Sequence, residues 1–138
     1  MTMQIRFRLL LIVPLLGCGT QPPLSIEVQR GVPATQLTLR ITEADPAHDH
    51  PIEMISLNAS PAGAQNPASL GAVIWVAAHM NGQPYLRPPV TLKFGASVPG
   101  YTWSAVPALV HGGYEARVSA GRVSALTQFR VTERNIVE

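Results

Sequence analysis

Side chains able to bind a transition metal gather in one stretch of this 138-residue sequence. His48 and His50 stand two residues apart, and Met54 follows in the same stretch. Four carboxylates lie among them, namely Glu43, Asp45, Asp49 and Glu53. Imidazole and thioether groups suit copper. One hypothesis is therefore a copper or zinc site, and the commoner interpretation is a solvated loop, where His, Asp and Pro normally accumulate.

Two further histidines are candidates to complete such a site. They are His79, followed by Met80, and His111. His48 and His50 point in opposite directions if their segment is extended, but they converge if it turns. If eight strands alternate in direction, the three histidine-bearing loops lie at one end of the fold; with one strand fewer, they separate. The metal hypothesis therefore depends on the path of the chain.

Motifs of catalysis are missing from the sequence. It contains no Gly-x-Ser-x-Gly nucleophile motif and no Gly-rich phosphate loop. The single cysteine, Cys18, stands where lipidation would use it, and the carboxylates show no separated pair of the kind that glycosidases need. We therefore expect a protein that is not an enzyme and that needs no cofactor.

The elements that position these residues follow from period-2 alternation of apolar and polar residues, which indicates strands. The alternating or apolar segments are residues 24–28, 37–41, 52–57, 73–76, 85–94, 101–105, 114–118 and 125–131. No segment sustains the 3.6-residue period of a helix. The sequence therefore predicts an all-β fold of seven or eight strands, with residues 59–69 as a loop.

Several local features refine this prediction. The apolar run 73–76 predicts a strand buried on both faces, and Asn81-Gly82 favours a two-residue hairpin turn. Pro88-Pro89 indicates an edge strand, because proline cannot donate a ladder hydrogen bond. Trp75 is expected in the core. Three other aromatics form either a binding platform for a glycan or peptide or, more commonly, packing between the sheets: Tyr85, Tyr101 and Trp103.

The segment around Tyr114 carries a more specific pattern. Leu109 is followed by Gly112 three residues on and by Tyr114 two residues later, after which inward residues alternate. This spacing resembles the tyrosine corner before strand F of immunoglobulin-like and fibronectin-like sandwiches. The resemblance covers about the last third of the chain and implies a single immunoglobulin-like β-sandwich closed by an F–G hairpin. A transthyretin-like sandwich remains an alternative.

The N-terminus carries a secretion signal. Arg6 and Arg8 precede the apolar run 9–16, which is too short to span a bilayer as a helix. The ending Leu15-Leu16-Gly17-Cys18 resembles the bacterial lipobox. The resemblance implies cleavage before Cys18 and acylation of that residue, palmitate included. We therefore expect a signal peptide at residues 1–17, a lipidated tether at 18–23 and the β-sandwich domain at 24–138.

The net charge of the processed chain indicates which classes of partner it can attract. Loss of Arg6 and Arg8 leaves eight of the ten Lys and Arg residues against eight Asp and Glu, so no electrostatic attraction to nucleic acid is expected. Gly19, in place of Asp, resembles the sorting signal of Gram-negative lipoproteins that reach the outer membrane. We expect a lipoprotein facing the periplasm, a non-catalytic binding or structural module for an envelope protein or a surface polymer.

Overall fold

The computed structural model of the chain describes residues 22–60, 73–104 and 108–138. The predicted signal peptide, Cys18 and the tether up to residue 21 lie outside the described residues. Within the described ranges, eight strands form two antiparallel sheets, and the one helical piece is a 3-10 turn at Ala34–Gln36. No helix in these ranges is long and apolar enough to cross a membrane. The predicted all-β sandwich is confirmed.

The smaller sheet has three strands in the order β1-β2-β5. They are β1 at Leu24–Val28, β2 at Thr38–Glu43 and β5 at Val90–Lys93. Leu24 pairs with Glu43, so β1 begins where β2 ends. Strand β5 follows Pro88-Pro89 and, among the strands of the described residues, pairs with β2 alone. The prediction of an edge strand at these prolines is confirmed.

The larger sheet has five strands in the order β6-β4-β3-β7-β8. They are β3 at Met54–Ser60, β4 at Val73–His79, β6 at Tyr101–Trp103, β7 at Gly112–Ala120 and β8 at Val123–Val131. β7 and β8 pair along their whole length, from Gly112 with Val131 to Ala120 with Val123. Gly121, at φ +64°, opens the two-residue turn between them. The predicted closing hairpin is confirmed.

The sandwich has two ends, which we name by the start of β1. The proximal end is where β1 and β3 begin and where β2 and β4 finish, at Leu24, Met54, Glu43 and His79. The distal end is where β7 begins, at Gly112, opposite the end of β3. The proximal end is also where the chain enters the first strand, because the carbonyl of Pro23 accepts the N–H of Ala44 at 3.2 Å.

The core lies between the sheets and takes alternate residues from each strand, as period-2 patterning requires. Its fully buried members come from both sheets and include Leu24, Leu37, Leu39, Ile41, Ile52, Ile55, Leu57, Trp75, Val118, Val131 and Val137. The Trp75 ring meets the edge of Phe94, with centroids 5.8 Å apart and planes at 74°. The prediction that Trp75 belongs to the core is confirmed.

Seven of the eight described strands follow the order that immunoglobulin-like sandwiches have, and β6, at the edge beyond β4, has no counterpart in that order. In those domains, strands A, B and E share one sheet, and strands C, F and G share the other. Here β1, β2 and β5 take the first set of positions, β3, β7 and β8 the second, and β4 lies beside β3 as strand C′ does. The Tyr114 hydroxyl donates to the carbonyl of Val110 at 2.6 Å and accepts the N–H of Val110 at 3.1 Å. The predicted tyrosine corner is confirmed.

Strand β4 differs from its prediction as a strand buried on both faces. Trp75 and Ala77 are buried, whereas Val73 is largely exposed and Ile74 and Val76 are only partly buried. The smaller sheet covers only the inner face of β4, so the outer face of β4 meets solvent. The prediction from the apolar run, that β4 is buried on both faces, is therefore wrong for its outer face.

The Asn81-Gly82 turn also differs from the prediction. Gly82 has φ +85° but Asn81 does not have a positive φ, and the N–H of Gln83 donates to Met80 across the turn. This pattern fits a type II turn with Gly at its third position rather than a type I′ hairpin. The predicted hairpin is wrong, because β4 pairs with β3 and β6 and the following β5 joins the other sheet. Tyr85 and Leu86 form no strand.

The C-terminal segment closes the distal end. Glu138 exchanges two backbone hydrogen bonds with Arg130 on the outer edge of β8, and Val137 exchanges two with Gly31 and Val32 between β1 and β2. Val137 is fully buried. The last residues thus join the two sheets and cover the distal part of the β8 edge.

Candidate functional site

The loop between β2 and β3 holds His48 and His50, each beside its own carboxylate. Nδ1 of His48 lies 2.9 Å from Oδ2 of Asp45 at the surface. Nδ1 of His50 lies 3.0 Å from Oε2 of Glu43, with side chains 11% and 10% exposed. A carboxylate oxygen accepts, so each imidazole donates through Nδ1. The loop is therefore held by local histidine–carboxylate contacts.

Two hydrogen bonds in this loop affect the pKa of Asp45. The backbone N–H of Ala47 donates to the Asp45 carboxylate at 3.0 Å, and His48 adds a side-chain hydrogen bond. Both contacts favour the ionised carboxylate, and together they lower the pKa of Asp45. Farther along the loop, Asp49 pairs with Arg87 of the β4–β5 connection at the surface. This ion pair joins the two proximal loops.

His79 lies at the same end but in a different environment. Its ring stacks on Tyr85 with centroids 3.6 Å apart and planes at 10°, and it meets the edge of Tyr101 at 5.4 Å. Its Nε2 lies 2.7 Å from the carbonyl of Gln83, which can only accept. The imidazole therefore donates through Nε2 to the β4–β5 turn. That nitrogen does not face the histidines of the β2–β3 loop.

The position of His111 contradicts the prediction that all histidine-bearing loops share one end. His111 directly precedes β7, which begins at the distal end, opposite Ser60. The described residues form eight strands, but β5 and β6 run in the same direction, because Val90 and Tyr101 both lie toward the proximal end. Residues 94–100 return along the sandwich without forming a strand. The alternation pattern locates strands only, so it could not reveal that a segment outside any strand reverses the direction of the chain.

The candidate metal ligands do not come together. Met54 opens β3 on its outer, solvent-exposed face, and His111 lies at the distal end. In the parts of the chain that the structure describes, no group of three or more His, Cys, Asp or Glu side chains is arranged to hold a metal ion. A carboxylate contact of the kind His50 makes also supports imidazoles that bind metals, but it needs further ligands beside it. The geometry favours a loop held by its own contacts, with His48 at the surface and His50 largely shielded from solvent.

The aromatic residues divide between the two predicted roles. Tyr101 is buried, whereas Trp103 is 50% and Tyr85 40% exposed. The Tyr101 hydroxyl donates to the carbonyl of Ile52 and accepts the N–H of Leu86 at 2.9 Å. Burial raises the pKa of Tyr101, and the N–H of Leu86 opposes that change. Tyr101 is therefore a clamp: its hydroxyl joins the segment before β3 to the β4–β5 connection at the proximal end. The alternation pattern could not reveal this role.

A second feature missed by the sequence analysis is a part of the β8 edge that no segment of the described residues pairs with. Arg130 uses its outward N–H and C=O on Glu138, and the outward carbonyl of Gln128 accepts from Arg30 at 3.0 Å. In an antiparallel strand every second residue points its backbone groups the same way. The outward groups of Ser124 and Leu126 follow in this series, nearer the proximal end.

Side chains beside this edge form an uncharged surface around one ion pair. Met54 and Leu126 are 44% and 54% exposed on the outer face of the larger sheet. Across the strands, Ser56 pairs with Arg117, which pairs with Leu126. Arg117 contacts Glu115 on its own strand. A shallow groove of about 170 Å³ runs between these side chains.

Comparisons of the chain with models of protein families, with curated proteins and with solved structures find no match.

Proposed function

We propose that this chain is an envelope lipoprotein, anchored by lipid on Cys18, whose sandwich is a non-catalytic module that binds another envelope protein. The observation that carries the proposal is the stretch of the β8 edge at Ser124–Leu126, which pairs with no strand among the described residues, beside the Met54–Leu126 groove. An exposed strand edge offers backbone donors and acceptors to an extended segment of a partner. The groove beside it offers a place for alternate side chains of that segment.

The chain's own C-terminal segment supports this mode of binding. It already pairs with the distal part of the β8 edge through Arg130 and Glu138. The same edge thus accepts an extended segment in one half, and no described segment pairs with the other half. Alternation places Ser124 and Leu126 in the same outward series as Arg130. We infer that a partner strand continues the line of the C-terminal segment toward the proximal end.

The lipid anchor is supported by the lipobox-like residues Leu15-Leu16-Gly17-Cys18. The first strand begins at Leu24, six positions after the cysteine. The lipobox resemblance implies three acyl chains on Cys18, and these would hold a protein of this size on a membrane, since each buried methylene adds about 0.8 kcal/mol. Mass spectrometry of the native protein tests this part. An unmodified thiol at Cys18, or a mature N-terminus elsewhere, would contradict it.

Site-specific photo-crosslinking in cells tests the binding surface. A photoreactive amino acid at Leu126 should give one dominant adduct with an envelope protein. A matched control carries the same residue at Thr91, which is exposed on the outer face of the smaller sheet. Adducts at Thr91 but not at Leu126 would show that a different face binds. Crosslinks at Leu126 to carbohydrate alone would replace the protein partner with a surface polymer, and their absence at both positions would refute the binding surface.

A further inference from the structure

The place where the chain enters the sandwich limits its orientation on a membrane. Leu24 pairs with Glu43 at the proximal end, and the hydrogen bond between Pro23 and Ala44 holds the chain there. Six residue steps separate Cys18 from Leu24. A fully extended chain covers at most about 20 Å in six steps. A lipid on Cys18 therefore keeps the proximal end within about 20 Å of the bilayer, whatever path the tether takes.

Exposed apolar and aromatic side chains occur at this same end. Met80 and Tyr85 border the β4–β5 turn and are 39% and 40% exposed. Trp103, at 50%, lies on the neighbouring edge strand β6, two residues beyond Tyr101. Both exposed aromatics of the described residues thus belong to one corner, formed by β4, β6 and the turn. Tyr and Trp are the side chains that favour the boundary between water and lipid.

Side-chain contacts hold Tyr85 in place at this corner, which lowers the entropy lost when it meets a surface. The ring of Tyr85 stacks flat on His79, and His79 is tied to Gln83. The Tyr101 ring makes an edge contact with the same imidazole and is itself clamped to Ile52 and Leu86. Arg87, beside the corner, has a guanidinium group of the kind that pairs with phosphate, although Asp49 now holds it.

We propose that the β4–β6 corner, with Met80, Tyr85 and Trp103, contacts the headgroup region of the bilayer that carries the lipid anchor. This inference rests on the proposed acylation of Cys18. It gives the module a fixed orientation: the proximal end meets the membrane, and the distal end, with the C-terminal segment, points away. Shallow insertion of the corner needs no net positive charge, because the apolar contact supplies the attraction.

Fluorescence quenching in vesicles tests the orientation. The lipidated full-length protein is reconstituted into phosphatidylcholine vesicles that contain lipids brominated near the headgroup end of the acyl chains. Trp75 is fully buried, so it serves as an internal reference. We expect clear quenching of the wild-type protein and loss of most of it in Trp103→Phe. Equal quenching of the two proteins would overturn the proposal.

A matched reporter at the other end sharpens the test. Val110 is 66% exposed near the distal end. In the Trp103→Phe background, Val110→Trp should restore fluorescence but not quenching. Quenching at position 110 and not at 103 would reverse the orientation and refute the inference. Mass spectrometry of the same sample separates the two proposals: acylated Cys18 without quenching at 103 contradicts only the corner contact, whereas an unmodified thiol removes both.

Discussion

The Tyr101 hydroxyl gives the sharpest test of how the proximal end is held together. It donates to the carbonyl of Ile52, which precedes β3, and accepts the N–H of Leu86 from the β4–β5 connection. Tyr101→Phe keeps the ring and removes both hydrogen bonds. Ile52 and Tyr101 are almost fully buried, so water cannot readily replace the lost partner. Each hydrogen bond contributes about 0.5–1.5 kcal/mol net, and a buried group left without a partner costs about 1–3 kcal/mol.

From these magnitudes we expect Tyr101→Phe to lower the free energy of unfolding by about 2–3 kcal/mol. For a domain of this size, that loss corresponds to a decrease in Tm of about 10 °C. Thermal unfolding followed by circular dichroism measures it. Tyr85→Phe is the matched control, because the stack of Tyr85 on His79 uses the ring and should survive loss of the hydroxyl. The control should change Tm by less than about 2 °C.

The pH dependence of this difference gives a second signature. Burial raises the pKa of Tyr101 above its ordinary value of 10.0. As pH rises past 10, the unfolded chain releases the phenolic proton before the folded protein does, so folding stability falls. The contribution of the clamp is complete below pH 10 and is lost as pH rises through the folded-state pKa. The Tm difference between wild type and Tyr101→Phe should therefore be full at pH 7–9 and narrow above about pH 10.

Two results would refute this reasoning. One is a Tm of Tyr101→Phe equal to that of Tyr85→Phe, which would mean that the two backbone groups find other partners. The other is a Tm difference that persists unchanged well above pH 10, which would mean that the protonated hydroxyl is not what stabilises the proximal end.

Four other predictions follow from single contacts. Tyr114→Phe should cost about 1–2 kcal/mol in chemical denaturation, because Val110 loses both partners of its N–H and C=O; a change below 0.5 kcal/mol would contradict the role of the tyrosine corner. Gly121→Ala should cost about 1 kcal/mol by the same measurement, since φ +64° strains any residue with a Cβ; a more stable variant would show that the turn relaxes. In an NMR titration, the Asp45 carboxyl should show a lowered pKa that rises in His48→Ala but stays below the ordinary value, because Ala47 still donates; a pKa unaffected by the substitution would exclude the His48 contact. Copper titration should give the same curve for wild type and for His48→Ala with His50→Ala, and micromolar binding lost in the double variant would revive the metal site.

The sequence by itself determined the class of fold and much of its detail. Period-2 alternation located most of the strands, because one face of each strand must be apolar when two sheets pack together. The Leu109–Tyr114 spacing predicted the tyrosine corner correctly, since the hydroxyl of Tyr114 reaches back only four residues to Val110. Pro88-Pro89 marked an edge for a similarly local reason: proline has no N–H to donate. Interactions this short in sequence leave a readable pattern.

Only the tertiary structure decided which elements meet. The separation of His111 from His48 and His79 depends on residues 94–100, which return along the sandwich without strand pairing and so break the alternation of directions. The clamp at Tyr101 joins residues 49 positions apart, and the coverage of β8 depends on a C-terminal segment that crosses between the sheets. Alternation specifies which face of a strand is buried, but not which strand lies beside it or where the chain turns back. That choice is made by packing and long-range hydrogen bonds, which require the folded chain.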